Sequence, residues 1–204
     1  MGRLGRLAVL FSAGVLALSL SACSQDEGGT VDDIHLVKAD ALTVCTHIPY
    51  KPFQFTGDNG EVVGFDVDLV DLLAQDLGVE TNVVSVDWNQ ITSGAVLAAG
   101  KCDLAMGGAT ITPKREEAVL FSDPYFNATQ ALLVKKGSAY AGLEDLEGKR
   151  LGTQTDTTGA IYAEKHAEEH GYTTVVFDDL ALETTAVSAG KVDAAINDNG
   201  PLYQ

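Results

Sequence analysis

Two stretches of the chain show the same rhythm. Short apolar runs of strand character alternate with segments whose apolar residues recur every three or four positions. Residues 42–46 (LTVCT) predict a strand, and TGDNGEVV (56–63) carries an Asn-Gly turn signal for a short hairpin. In GFDVDLVDLLAQDLG (64–78), Val67, Leu69, Val70, Leu72, Leu73 and Leu77 fall at helical spacing, with Gly78 placed to end the helix. VETNVVSV (79–86) predicts a strand, NQITSGAVLAAG (89–100) a helix closed by Gly100, residues 102–106 a strand, and Pro113 the start of another helix. A second series begins near Gln130: strands at 131–136, 150–154, 173–177 and 192–197, a turn-helix at 143–149, and helices at 158–170 and 180–189. This β-α alternation predicts largely parallel sheets faced by helices.

The two series share an internal repeat. AVLAAGKCDLAMGG (95–108) aligns with TAVSAGKVDAAIND (185–198) at a fixed offset of 90, so Gly100-Lys101 and Asp103 match Gly190-Lys191 and Asp193. Each copy reads as a helix end, a Gly-Lys turn and an apolar strand, which predicts two similar α/β lobes. Gly108 and Asp198, at equivalent positions, fall at strand carboxyl ends, where open α/β sheets bind ligands.

The stretch GGATITPKREE (107–117) concentrates candidate chemistry at one such end. Gly107 and Gly108 allow close approach to backbone. Thr110 offers a hydroxyl, and Thr112-Pro113 is a helix start with a threonine cap. Arg115 supplies a planar fork suited to a carboxylate, with a surface pair to Glu116 or Glu117 as the plainer alternative. TQTDTTGA (153–160) places Thr157 and Thr158 at a second strand end before a helix, an anion-friendly N-terminus. Asp198 adds a carboxylate, or else only caps the Asp-Asn-Gly turn. Together these residues describe a zwitterion site: Arg115 and the amides of Thr157 and Thr158 for an α-carboxylate, and Asp198 for an α-ammonium.

Charge narrows the partners. The 204 residues carry a formal net charge of −16, which argues against nucleic acid. Arg3 and Arg6 precede an apolar stretch at 7–20, too short for a membrane span and suited to a secretory signal. It ends in Leu20-Ser21-Ala22-Cys23, which resembles a bacterial lipobox; this implies a signal peptide at 1–22 and a lipidated Cys23 as the first mature residue. Residues 23–40 read as a tether, flexible where SQDEGGT (24–30) is polar and Gly-rich. Cys45 and Cys102 remain; export permits a disulfide, and two buried small hydrophobes is the alternative.

The ordered run of motifs resembles one family. YKPFQF (50–55), GFDVDLVDLL (64–73), GKCDLAMGGATITPKREEAVLFSDPYF (100–126), LEDLEGKRLGTQTDTT (143–158) and GKVDAAINDN (190–199) are similar to bacterial extracellular solute-binding proteins of the polar amino acid class. The resemblance implies a two-lobed α/β flytrap, with lobe one at 41–128, a hinge strand near 125–129, and lobe two at 129–204. By the same resemblance, the segment that completes lobe one after a second hinge strand is expected beyond Gln204. It implies Arg115, Thr110 and Thr158 as carboxylate ligands, Asp198 and the Gly108 carbonyl as ammonium ligands, and Tyr50 and Trp88 as aromatic walls. Both aromatics have core packing as their alternative, Trp88 as the only tryptophan above all. His47 stands where relatives often have aspartate, and Gln154 where some have lysine; both positions face the ligand side chain in the family. Replacing an anion by histidine shifts the expected ligand toward glutamine or glutamate, although His47 packing against the strand end is an alternative.

The resemblance further implies an ABC importer whose permease subunits are the partner, a monomeric receptor anchored on the outer membrane face, and no cofactor. The competing readings are a dehydratase acting on prephenate or arogenate, with His47 as its acid/base, and the sensor domain of a signalling receptor. No metal site is expected: His166 and His170 lie four apart on a helix, but no third ligand stands out, so an exposed polar face is the expectation.

Overall fold

The computed structural model describes residues 29–31 and 34–204. The expected signal peptide, the lipobox with Cys23, and the start of the tether lie outside the described residues. The chain then forms a small antiparallel hairpin, β1 (Gly29–Val31) with β2 (Ile34–Leu36). The tether expected through residue 40 therefore gives way to ordered chain. Leu36 explains this, since it is buried in the first lobe's core.

Two sheets organise the rest. The first has the order β6-β3-β7 and is parallel throughout, built from β3 (Ala41–Thr46), β6 (Glu80–Ser85) and the two-residue β7 (Leu104–Ala105). The second has the order β10-β9-β11-β8, from β8 (Gln130–Val134), β9 (Arg150–Gln154), β10 (Thr173–Phe177) and β11 (Ala194–Asp198). Only the β11–β8 pair is antiparallel there. Strand β3 is buried at all six positions and alternates its side chains between two cores. Leu42 and Val44 join Val67, Val70 and Met106, whereas Cys45 joins Val86, Trp88, Ile91 and Val96. Strand β11 does the same in the second lobe, with Ala194 and Ile196 on one face and Ala195 on the other.

The repeat has a physical meaning. In the first lobe Asp103 accepts the Thr43 amide at 2.7 Å, and its own amide donates to the Thr43 carbonyl at 2.8 Å. In the second, Asp193 accepts the Arg150 amide at 2.9 Å and donates to the Arg150 carbonyl at 2.9 Å. Each aspartate thus pins the chain entering one strand to the neighbouring parallel strand. The preceding turns match as well: Lys101 and Lys191 donate their amides to the carbonyls of Val96 and Ala186. These pins set the strand register, and so fix where Gly108 and Asp198 emerge.

Most expected elements form: the hairpin of β4 (Phe55–Thr56) and β5 (Val62–Val63), α1 (Phe65–Asp76), α5 (Thr158–His170) and α6 (Leu180–Ala189). Three expectations need correction. The helix expected over 89–100 is broken into α2 (Trp88–Thr92) and α3 (Ala95–Ala98). Gly94 between them is left-handed (φ 72°), and a Cβ there would stand 2.8 Å from Val119. The helix from Pro113 is a single turn, α4 (Pro113–Glu116). The hinge strand expected at 125–129 is not a ladder strand; no described strand pairs with that segment.

Helix α1 also departs from its pattern. It buries Asp66, Val67, Val70 and Ala74, but Leu69, Leu72 and Leu73 are exposed, Leu72 by 62%. Among the described residues, the small first sheet covers only one side of this helix. Leu69 and Leu73 face a broad groove shared with Leu104, Val119 and Phe126.

Cys45 and Cys102 are joined as a disulfide closing a separation of 57 residues, which resolves the alternatives left by the sequence. A loop of that size stabilises by about 4 kcal/mol in the chain-entropy account. We expect reductant to lower the urea midpoint markedly; an identical midpoint with and without reductant would show that the bond carries no stability.

Candidate functional site

The carboxyl ends of both sheets meet at a cleft with about 390 Å³ of empty space, the solvent at its mouth included. Every site residue expected from sequence lines it: His47, Tyr50, Trp88, Gly107, Gly108, Thr110 and Arg115 from one side, Gln154, Thr157, Thr158 and Asp198 from the other. Gln54 and Asn197 line it too, and sequence reasoning missed both.

Arg115 is the one basic side chain, besides His47, among the lining residues. Thr112 caps α4 by accepting the Arg115 amide at 3.3 Å, which sets the first turn and aims the side chain inward. Arg115 is 7% exposed, and its guanidinium packs over the Trp88 ring, 5.5 Å from its centroid. It donates to the Thr110 carbonyl at 2.9 Å and, across the cleft, to the Asp156 carbonyl at 2.8 Å. It forms no ion pair with Glu116 or Glu117, so the surface-pair alternative does not hold. Burial lowers its pKa, opposed by the charges of Asp156 and Asp198.

Asp198 is 8% exposed. It stands at the N-cap of α7 (Asn199–Leu202), yet its side chain makes no capping bond, which disposes of the capping alternative. One oxygen accepts the Tyr50 hydroxyl at 2.6 Å and the other accepts Gln130 Nε2 at 2.6 Å. Burial first, and Asp198 second, push the Tyr50 hydroxyl far above its ordinary pKa. Tyr50 stacks on Phe53 and lies over Gly108, where a Cβ would stand 3.2 Å from its ring.

Trp88 packs in a core cluster and also lines the cleft. It belongs to the core of the first lobe, and its Nε1 reaches the Asp156 carbonyl at 3.2 Å. Thr157 caps α5, its hydroxyl accepting the Ala160 amide and donating to the Gln154 carbonyl, so only its backbone is free for a ligand. The Thr158 hydroxyl accepts from Gln130 at 3.4 Å.

The floor is a polar relay with a fixed sense. The Asp198 amide, which can only donate, takes Asn197 Oδ1 at 2.9 Å. Asn197 Nδ2 therefore faces away and donates to Glu183 at 3.0 Å and to Gln154 Oε1 at 3.3 Å. This leaves the Gln154 amide nitrogen, in a residue 3% exposed, without a partner among the described residues and presented to the cleft. On the other side, His47 Nδ1 lies 2.9 Å from the Val86 carbonyl. A carbonyl only accepts, so Nδ1 carries the proton and Nε2 of the neutral ring is a buried acceptor without a partner among the described residues.

Two acids behind the cleft escaped the sequence reading. Glu183 is fully buried, and burial raises its pKa to about 7. Asp66 is buried in the first turn of α1, where it accepts the Gly108 amide at 2.9 Å and the Tyr125 hydroxyl at 3.0 Å; burial raises its pKa as well. Both stand in the first turn of a helix, where an acid ordinarily serves the helix N-terminus from the solvent side, so neither carried a sign of burial.

Comparison with known proteins agrees with this architecture. Residues 42–199 match bacterial extracellular solute-binding proteins, family 3. The arginine-binding extracellular protein ArtP of Bacillus subtilis (strain 168) is 33% identical over 192 residues, covering 92% of this chain and 71% of ArtP. An ancestral arginine-binding protein, solved bound to arginine and also bound to glutamine, superposes with TM-score 0.75 at 38% identity, over 80% of this chain and 72% of its own. The ancestral amino acid-binding protein AncCDT-1, a precursor of cyclohexadienyl dehydratase, gives TM-score 0.73 at 37% identity over 78% of this chain and 70% of its own. With 158 consecutive positions matched and the two-lobed fold shared, the chain belongs to the bacterial extracellular solute-binding proteins, family 3.

Proposed function

We propose that this chain captures the zwitterion of a free polar amino acid between its lobes, as the receptor of an ABC importer, and does no chemistry on it. The observation that carries the reading is a guanidinium buried in the cleft wall without a carboxylate partner, in the same cleft as a buried carboxylate. Burying a charge unpaired is costly, so Arg115 calls for an anion from outside the chain. An α-carboxylate fits the planar fork and the amides at the start of α5. The oxygens of Asp198 accept one hydrogen bond each and keep lone pairs for an α-ammonium. Tyr50 and Trp88 wall the aliphatic stem. Contacts from both sides favour closure, which the permease would read.

The ligand's far end meets the Gln154 amide N–H and the His47 Nε2 acceptor. A carboxamide satisfies both, so glutamine is the proposed cargo, with glutamate second. The glutamine-bound ancestral relative supports this choice, and its arginine-bound form makes arginine the competitor to test. Lipidated Cys23 would hold the receptor to the outer membrane face as a monomer. No helix among the described residues is long and apolar enough to cross a membrane.

Calorimetry against a panel of amino acids tests the reading. Glutamine should bind at one site. Arg115→Ala and Asp198→Ala should each cost roughly 2–5 kcal/mol, since each strands a charge of the ligand. Unchanged affinity in either variant would overturn the site, and turnover of prephenate or arogenate would overturn the absence of chemistry. Gln154→Glu replaces the donor by an acceptor and should shift preference from glutamine toward arginine; an unchanged ratio would remove Gln154 from side-chain recognition.

Glu183 adds a pH signature. Its folded pKa of about 7 lies above its ordinary value of 4.5, so the native state holds the proton more tightly than the unfolded chain. Stability from this group is complete below about pH 4.5, falls as pH rises toward 7, and levels off above it. Urea unfolding at pH 5 and pH 8 should show a decline in the wild type that Glu183→Gln reduces by up to roughly 3 kcal/mol. Equal declines in both proteins would mean that Glu183 titrates normally.

A further inference from the structure

Helix α5 carries a cluster on its outer surface, away from the cleft-facing residues. Its buried positions are Gly159, Ala160 and Ala163. His166, Glu169 and His170 lie together on another face, at spacings of three and four that bring side chains onto one patch. Glu169 Oε2 is 3.1 Å from His166 Nδ1 and 4.0 Å from His170 Nε2, and the three donor atoms lie within 4.8 Å of one another. The sequence pattern had shown the two histidines without this carboxylate.

We propose that His166, Glu169 and His170 form a surface site for a late first-row divalent cation such as Zn²⁺, Ni²⁺ or Cu²⁺. Two imidazoles and one carboxylate are the donor set that such borderline ions prefer. In a tetrahedral zinc site with ligand bonds near 2.0–2.1 Å, donor atoms stand roughly 3.3 Å apart. The His166–Glu169 pair already has that separation. The His170 contact needs a small contraction, which Glu169 can supply because its side chain is 67% exposed.

The imidazoles are held rather than free. Tyr162 packs on His166 at 4.5 Å between centroids, His166 on His170 at 5.9 Å, and His170 lies nearly parallel to Tyr172 at 6.4 Å. Tyr172 is itself fixed, being buried and donating to the Ala163 carbonyl at 2.6 Å. Each histidine side chain is only 24% exposed. Ordering two imidazoles before the ion arrives lowers the entropic cost of binding. Position adds to this: His170 ends the helix, where the macrodipole favours a cation. Three protein ligands at an exposed site leave the remaining positions to water. A plain His–Glu surface pair accounts for one of these contacts but not for a second imidazole directed to the same oxygen.

The test uses tag-free protein, so that no added histidines compete. Titration calorimetry with Zn²⁺, Ni²⁺ and Cu²⁺ should show one equivalent per chain, with Cu²⁺ tightest. His166→Ala and His170→Ala should each weaken binding at least about tenfold, and Glu169→Gln measurably, while His35→Ala leaves it unchanged. Circular dichroism checks that each variant retains the helix. On the wild type, the electron paramagnetic resonance spectrum of bound Cu²⁺ should show two nitrogen donors, a readout that needs no variant. Absence of saturable binding, or binding that survives the double histidine variant, would overturn the site. Full affinity in Glu169→Gln would overturn the three-ligand assignment.

Discussion

A guanidinium removed from water without a carboxylate beside it is the constraint around which the cleft is arranged. Arg115 is compensated only in part, by two backbone carbonyls and an aromatic face. Charge-to-dipole hydrogen bonds offset some desolvation but leave the net charge in place. Holding such a group requires a rigid frame. The Thr112 cap fixes its turn, and the glycines at 107 and 108 let the preceding loop pass close beneath Trp88 and Tyr50. At Gly107 a Cβ would stand 3.0 Å from the Trp88 ring. The frame therefore depends on bare backbone as much as on the arginine.

The second consequence is that the halves of the cleft are bonded to each other directly. Arg115 and Trp88 both reach the Asp156 carbonyl, and Tyr50 reaches Asp198. These bonds link the end of one sheet to the end of the other at the positions that the two Asp pins, Asp103 and Asp193, hold in register. A ligand in the cleft adds contacts to both sides at once, so its binding energy and the closing energy draw on the same geometry. The Gly-Lys-x-Asp repeat is thus a device for placing strand ends, and the chemistry at those ends differs: bare glycine on one sheet and a carboxylate on the other.

Much of this was legible in residue order. The helix cap at Thr112-Pro113, the Gly-Lys-x-Asp repeat and the strand-end residues depend on local rules, and local rules act within a few positions. What failed depended on distant chain. The helix across 89–100 breaks because the segment at Val119 approaches Gly94, a contact no local window contains. The exposure of Leu69, Leu72 and Leu73 reflects how little of α1 the three-stranded sheet covers, whereas periodicity reports only that an apolar face exists. Glu183 was invisible because a glutamate in a helix's first turn is ordinarily explained by the helix N-terminus and faces solvent. Its burial follows from the side of β11 on which α6 lands.

The floor shows how a backbone constraint reaches ligand chemistry. The Asp198 amide must donate, which orients Asn197; Asn197 then orients Gln154, and the free N–H of Gln154 faces the cleft. No step in that sequence is a choice between equal rotamers, because each amide has one acceptor and one donor end. Reversing Gln154 would set two N–H groups against each other in a buried site, at a cost of roughly 1–3 kcal/mol. Glu183 strengthens the same sense by taking the other Asn197 proton. The proposed preference for an oxygen at the ligand's far end would then follow from the register of β11, and only secondarily from the identity of the residue that touches the ligand.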